Sequence, residues 1–139
     1  MELFQSENVL PGITRISSFA DEFMYLIDGG GNSALVDADC GIGNVKEYVK
    51  KLTNKPLKVF LTHGHIDHAT SAHIFDDVYL NPADDALYRL HCSQEFVDSI
   101  MPPFLGLENY SKIKDYIIPA GTADYKPLTD GMVFRLSSE

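Results

Sequence analysis

The feature that most constrains this sequence is a group of potential metal ligands that directly follows a short apolar run. Residues 58–62 form the run, and the group consists of His63, His65, Asp67 and His68. In an extended segment, side chains two residues apart project to the same side, so the first two imidazoles can hold one ion. Imidazoles and a carboxylate suit zinc, with iron or manganese as alternatives. Surface histidines in a polar loop are the competing interpretation, but such close spacing after a strand favours a metal site.

The apolar pattern around this group predicts strands that alternate with helices. Two apolar runs, 22–27 and 33–36, flank a glycine-rich segment, which is typical of a hairpin; no lysine of a phosphate-binding loop follows it. Asn44 can cap a helix that ends near Leu52. The pattern predicts further strands at 9–16, 78–80 and 132–136, and further helices at 69–75 and from 82 to about 91. Such alternation predicts one α/β domain over residues 1–139.

Composition excludes several classes of partner. The chain of 139 residues has a formal net charge of -9, which gives no attraction to nucleic acid or to anionic membranes. Residues 1–5 lack the character of a secretory signal, and no apolar run reaches membrane-spanning length, so we expect a cytoplasmic location. Cys40 and Cys92 are too far apart for a CxxC metal site and are expected to be free thiols.

The group after residue 62 resembles the HxHxDH motif of the metallo-β-lactamase superfamily, which follows a β-strand. The segment 35–41, an apolar run that reaches Asp37, also resembles a strand of that family. The resemblance extends to residue 136. It implies one half of an αββα sandwich, an α+β layered arrangement in which helices cover one face of a mixed sheet.

The resemblance also implies a site. His63 and His65 would bind one metal ion, and Asp67 and His68 would bind a second. Asp37 would accept a hydrogen bond from a ligand imidazole and so orient it. The alternative is that Asp37 is only a solvent-exposed residue at the end of a strand. One or two Zn²⁺ ions would lower the pKa of bound water to about 7 and so supply hydroxide. Asp67 would act in catalysis by orienting that hydroxide. The implied reaction is hydrolysis of an ester, thioester, lactone or related bond in a small molecule, with no organic cofactor.

The sequence lacks the downstream metal ligands of the family pattern, which favours a second interpretation of its function. Family members supply further ligands downstream of the motif, whereas no histidine follows His91 here. We therefore expect a domain truncated before those ligands, and a non-catalytic metal-binding or interaction module is the alternative function. His73 and His91 are not expected to be ligands. An amidohydrolase barrel, which also uses an HxH pair, needs a longer chain.

Two further apolar features predict surfaces that other segments or chains cover. Residues 93–127 are apolar and interrupted by prolines, which is typical of a helical cap over a site but also of an ordinary connection. The apolar runs at 23–27, 35–36 and 59–61 predict a sheet that is covered on both faces. Helices can cover one face, so a homodimer or a missing C-terminal half is expected on the other.

Overall fold

One mixed sheet holds all the strands in chain order. The computed structural model describes residues 1–138, and within them seven strands form the sheet. The first four strands are antiparallel and the remaining ones are parallel. The strands are β1 (Phe4–Leu10), β2 (Ile13–Ser18), β3 (Phe23–Asp28), β4 (Ser33–Val36), β5 (Leu57–Phe60), β6 (Val78–Leu80) and β7 (Lys126–Pro127). This arrangement confirms the mixed sheet that the resemblance implies.

Helices connect the parallel strands and follow β6. The five α-helices within residues 1–138 are α1 (Val45–Leu52), α2 (Ile66–Ala69), α3 (Asp85–His91), α4 (Gln94–Leu105) and α5 (Leu107–Ile113). Asn44 caps α1 as predicted, because its side-chain oxygen accepts a hydrogen bond from the Glu47 amide at 3.1 Å. In the part of the chain that the structure describes, no helix combines the length and apolar character that crossing a membrane requires.

The main core lies between one face of the sheet and the helices. Alternate strand residues point to this face because the side-chain period of a strand is two. The core contains Met24, Leu26, Leu35, Val59 and Val78 from the strands and Val45, Val49, Ala72 and Tyr88 from the helical segments. Helices therefore cover one face, as expected.

Two of the predicted strands differ in the structure. The predicted strand at 9–16 is divided between β1 and β2, because Gly12, with φ of 76°, turns the chain between them. The prediction of a last strand at 132–136 is wrong. The Leu136 carbonyl accepts hydrogen bonds from the amides of Gly31 and Asn32 in the β3–β4 turn, so this segment contacts the turn and does not join the ladder.

The second face of the sheet is covered only in part. Tyr25 pairs with Val36, and Phe60 pairs with Tyr79, so all four side chains share this face. The Phe134 ring covers one end, with its centroid 4.7 Å from that of Phe60 and 4.9 Å from that of Tyr79. Towards β3, Tyr25 is 38% exposed and Phe23 is 44% exposed. An apolar patch therefore remains beside the segment that carries Phe134.

We propose that a second copy of the chain covers this patch in a two-fold contact. Sedimentation velocity in the micromolar range is expected to show a dimer. The substitution Tyr25→Glu should lower the association constant at least ~10-fold, because it places a charge in an apolar contact.

The matched control for this experiment is Leu107→Glu. Leu107 is 77% exposed on α5, so the substitution adds the same charge outside the sheet and should leave association unchanged. A wild-type chain that stays monomeric throughout the micromolar range would contradict the proposed dimer.

Candidate metal centre

The strand ends bring the predicted ligands to one edge of the sheet. Strands β4 and β5 are parallel, so their carboxyl ends meet, and the Asp37 amide donates a hydrogen bond to the Phe60 carbonyl at 2.9 Å. The His63 to His65 segment follows β5 as a loop. Helix α2 then begins after His65, and the His68 carbonyl accepts a hydrogen bond from the Ala38 amide at 2.8 Å.

Three of the four predicted ligands form one compact group. The candidate ligand atoms of His63, Asp67 and His68 all lie within 4.8 Å of one another. His65 lies beside them, with its ring centroid 4.6 Å from that of His63, and is exposed. The resemblance implied a pair of histidines and a separate Asp–His pair. In the structure the turn into α2 groups Asp67 and His68 with His63.

Asp37 connects two of these imidazoles. Its Oδ2 accepts a hydrogen bond from His68 Nδ1 at 2.9 Å, which is the contact expected of an orienting carboxylate. The Thr62 hydroxyl donates to the same carboxylate at 2.9 Å and lies 2.8 Å from His63 Nδ1. Because that hydroxyl has only one proton, it must accept from His63 Nδ1–H. Both imidazoles therefore carry their proton on Nδ1 and leave Nε2 free.

The free Nε2 atom of His68 faces another acceptor. It lies 3.3 Å from Asp67 Oδ2. A neutral imidazole with its proton on Nδ1 presents a lone pair at Nε2, and an ionised carboxylate presents only lone pairs. This contact is favourable only with a cation or an extra proton between the two atoms. His63 adds a third ligand atom to the same group, so the donor set fits a divalent metal such as zinc.

Side chains from later elements hold the loop that carries the ligands. The Gly64 amide donates to Asp84 Oδ2 at 2.9 Å, and the Ile66 amide donates to His91 Nδ1 at 3.1 Å. Burial is the main cause that lowers the pKa of His91, which keeps this imidazole neutral and able to accept. The sequence alone did not indicate a role for Asp84 or Thr62, because each acts through a contact with a residue at least 20 positions away in the chain.

The remaining candidate residues lie outside this group. His73 Nδ1 contacts the Thr70 carbonyl at 2.8 Å, and within residues 1–138 the group of potential ligands around Asp67 does not include it. Cys40 and Cys92 are buried and free, as predicted. His73 and His91 were not expected to be ligands, and neither belongs to a candidate metal group in the described residues.

A cavity of about 590 Å³ opens beside the site. Its wall includes Asp37, Thr62, Asp67 and His68. Phe23 and Tyr25 also line it, so the second copy proposed to cover these two side chains would form a further wall of the cavity. Phe104 of α4 also lines it, so the segment 93–127 contributes to the wall on the side of the metal ligands. This volume lies in the range typical of small-molecule sites.

Comparison with known proteins supports the resemblance. Residues 20–83 match the sequence model of the metallo-beta-lactamase superfamily, a range that includes Asp37 and the histidine motif. No curated protein matches the chain by sequence.

Solved structures share the fold. BJP-1, a subclass B3 metallo-beta-lactamase of Bradyrhizobium japonicum, matches 97% of this chain with a TM-score of 0.59 and 17% identity, over 49% of its own length. A B3 metallo-beta-lactamase with an active-site glutamic acid matches 96% of this chain with a TM-score of 0.59 and 19% identity, over 48% of its length. TTHA1623, solved in a di-iron-bound form, is 26% identical, with a TM-score of 0.54, and the match covers 85% of this chain and 54% of that protein.

These comparisons confirm the predicted resemblance and fold. The chain has the architecture of part of a metallo-β-lactamase domain and spans about half the length of the structures that it matches.

Proposed function

We propose that this chain, with its metallo-β-lactamase fold, provides metal-binding residues of a metal-dependent hydrolase, most simply a dinuclear zinc enzyme. The proposed substrates are small molecules with an ester, thioester, lactone or related bond. The cavity of about 590 Å³ beside the ligands is large enough for such a molecule.

The observation that carries this proposal is the contact between His68 and Asp67. Two acceptor atoms, Nε2 and Oδ2, face each other at 3.3 Å, while Asp37 holds the proton of the imidazole on the opposite nitrogen. A buried or half-buried pair of acceptors is costly unless a positive charge lies between them. A bound divalent ion would meet this need, lower the pKa of a coordinated water and polarise the bond under attack.

The side chains of this chain would then have distinct tasks. His63, His65, Asp67 and His68 are the proposed ligands, and Asp67 is also the proposed catalytic carboxylate, because its second oxygen can hold a proton near the reacting atoms. Thr62 and Asp37 would keep the imidazoles in the tautomer that binds metal. Phe104 and the rest of residues 93–127 are proposed as a cap that restricts which substrates enter.

Metal binding and turnover test this proposal separately. Competition with a chromophoric chelator is expected to show Zn²⁺ binding that falls at least ~10-fold in His68→Gln, because one ligand is lost. His73→Gln removes an imidazole that is bonded to the Thr70 carbonyl and should bind Zn²⁺ like the wild type. Activated esters, thioesters and lactones should be hydrolysed with Zn²⁺ and not after chelation.

Turnover by the wild-type chain separates the two possible functions, and the variant Asp67→Asn tests the role of Asp67. Turnover by this variant should fall about 100-fold or more if Asp67 acts in the reaction. Zn²⁺ binding without turnover of any of these substrates would instead favour the non-catalytic metal-binding module. Wild-type chain that binds no Zn²⁺ would contradict both.

A further inference from the structure

A second group of potential ligands lies inside the fold. It consists of Glu22, Asp39 and Cys40, here called the Glu22 cluster, whose ligand atoms all lie within 4.8 Å of one another. Glu22 is 8% exposed, and the other two residues are fully buried. The Cys40 amide donates to Glu22 Oε1 at 3.2 Å and to Asp39 Oδ1 at 2.6 Å, so one backbone group joins both carboxylates.

The second oxygen of Glu22 has no hydrogen-bond partner. Within residues 1–138, only two buried side-chain polar atoms lack one, namely Glu22 Oε2 and Arg15 Nε. The second oxygen of Asp39 accepts one long hydrogen bond, from the Ser71 hydroxyl at 3.3 Å. No ion pair of the described residues involves either carboxylate. Buried ionised carboxylates without a cationic partner are strongly unfavourable, so this cluster must either retain protons or bind a cation.

The direction of the pKa shifts agrees with this need. Burial, and then the charge of Glu22, raise the pKa of Asp39 well above its ordinary range. Burial also raises the pKa of the Cys40 thiol. Either retained protons or a bound cation can neutralise such a cluster.

We propose that Glu22, Asp39 and Cys40 form a second metal site, separate from the histidine group, for a divalent ion of borderline softness such as Zn²⁺. Two carboxylate oxygens and one sulfur are a donor set that zinc accepts, and Glu22 also lines the cavity, which offers a route of entry for the ion and for a water ligand. The unpartnered Glu22 Oε2 supplies a ligand atom that costs no existing hydrogen bond.

Binding would involve only exchange of protons for metal. The Cys40 sulfur exchanges its bond to hydrogen for a bond to the ion, and its proton, with any proton held by the carboxyl groups, passes to solvent. No oxidation or reduction occurs. Because Asp39 and Cys40 directly follow Asp37 and Ala38 in the chain, the ion would also stabilise the segment that orients His68.

Cobalt titration tests the proposed site, because Co²⁺ replaces Zn²⁺ and gives a near-ultraviolet charge-transfer band only when a thiolate binds it. We expect this band in the wild-type chain, in addition to visible bands from any cobalt site. The chain has two cysteines, so two variants assign the band. Cys40→Ser should abolish it. Cys92→Ser, which changes a buried thiol outside the cluster, should retain it.

Glu22→Gln tests the carboxylate contribution. This variant should weaken the cobalt affinity measured by the thiolate band at least ~10-fold, because the unpartnered oxygen becomes an amide. Absence of the band in wild-type chain, at Co²⁺ concentrations that saturate the visible bands, would overturn the proposal and leave a carboxyl pair that retains its protons. A band that survives in Cys40→Ser would overturn it equally. The wild-type result stands even if a variant fails to fold.

Discussion

Replacement of Asp37 by asparagine is expected to weaken Zn²⁺ binding at the histidine group by about 10- to 100-fold. An amide nitrogen in place of Oδ2 would face His68 Nδ1–H, now 2.9 Å from the carboxylate, and two donors would oppose each other. The imidazole would relieve this contact by moving its proton to Nε2, the atom that faces Asp67. Asparagine also tolerates the positive φ of Asp37, 66°, so the backbone should keep its conformation.

Chelator competition measures this effect, and thermal unfolding without metal checks that the variant folds. The control is Asp76→Asn, because Asp76 is 97% exposed and its loss changes the net charge by the same amount. The control should bind Zn²⁺ like the wild type. Equal affinities of Asp37→Asn and wild type would show that Asp37 does not orient the ligand imidazoles.

Gly64→Ala is expected to destabilise the chain by about 1–3 kcal/mol and to reduce metal affinity with it. A Cβ atom at this position would lie 2.8 Å from the Tyr88 nitrogen and 2.9 Å from the Tyr88 Cα, both backbone atoms of α3. The sequence around Gly64 does not indicate this close approach to α3. Since a helix backbone cannot yield locally, the loop with His63 and His65 must move away from α3, and the hydrogen bond from the Gly64 amide to Asp84 at 2.9 Å must lengthen.

Urea unfolding with a chelator present measures the free energy of unfolding without the contribution of bound metal. Gly121→Ala is the matched control, because the nearest atoms to its Cβ would belong to the His73 side chain, at 3.1 Å, and a side chain can move. The control should lose less stability than Gly64→Ala. An unchanged unfolding midpoint for Gly64→Ala would contradict the close contact between the loop and α3.

Together these two variants distinguish two ways of positioning a ligand. Asp37 acts on the imidazoles through their protons, and its effect should appear in metal affinity more than in stability. Gly64 acts through the backbone, and its effect should appear in both measurements. Asp84, in the turn before α3, and His91, at the end of α3, accept hydrogen bonds from the same loop.

Local sequence determined the features that depend on neighbouring residues alone. Asn44 caps α1 because the side-chain oxygen of an N-cap asparagine can reach the amide three residues later in the same turn. The glycine-rich segment joins β3 and β4 as a hairpin for a similarly local reason. The spacing of His63, His65, Asp67 and His68 indicated the metal group, because a strand that is followed at once by a helical turn places these side chains close together.

Only the tertiary structure decided the contacts between residues distant in the chain. Asp37 meets His68 across 31 residues because β4 pairs with β5, and Glu22 meets Cys40 across 18 residues because β3 pairs with β4. Residues 132–136 contain an apolar strand pattern, but the β3–β4 turn binds their backbone and the Phe134 ring covers Phe60. The spacing of apolar residues and the capping residues indicate what one segment can form by itself. Contacts between distant residues depend instead on which segments the folded core places side by side.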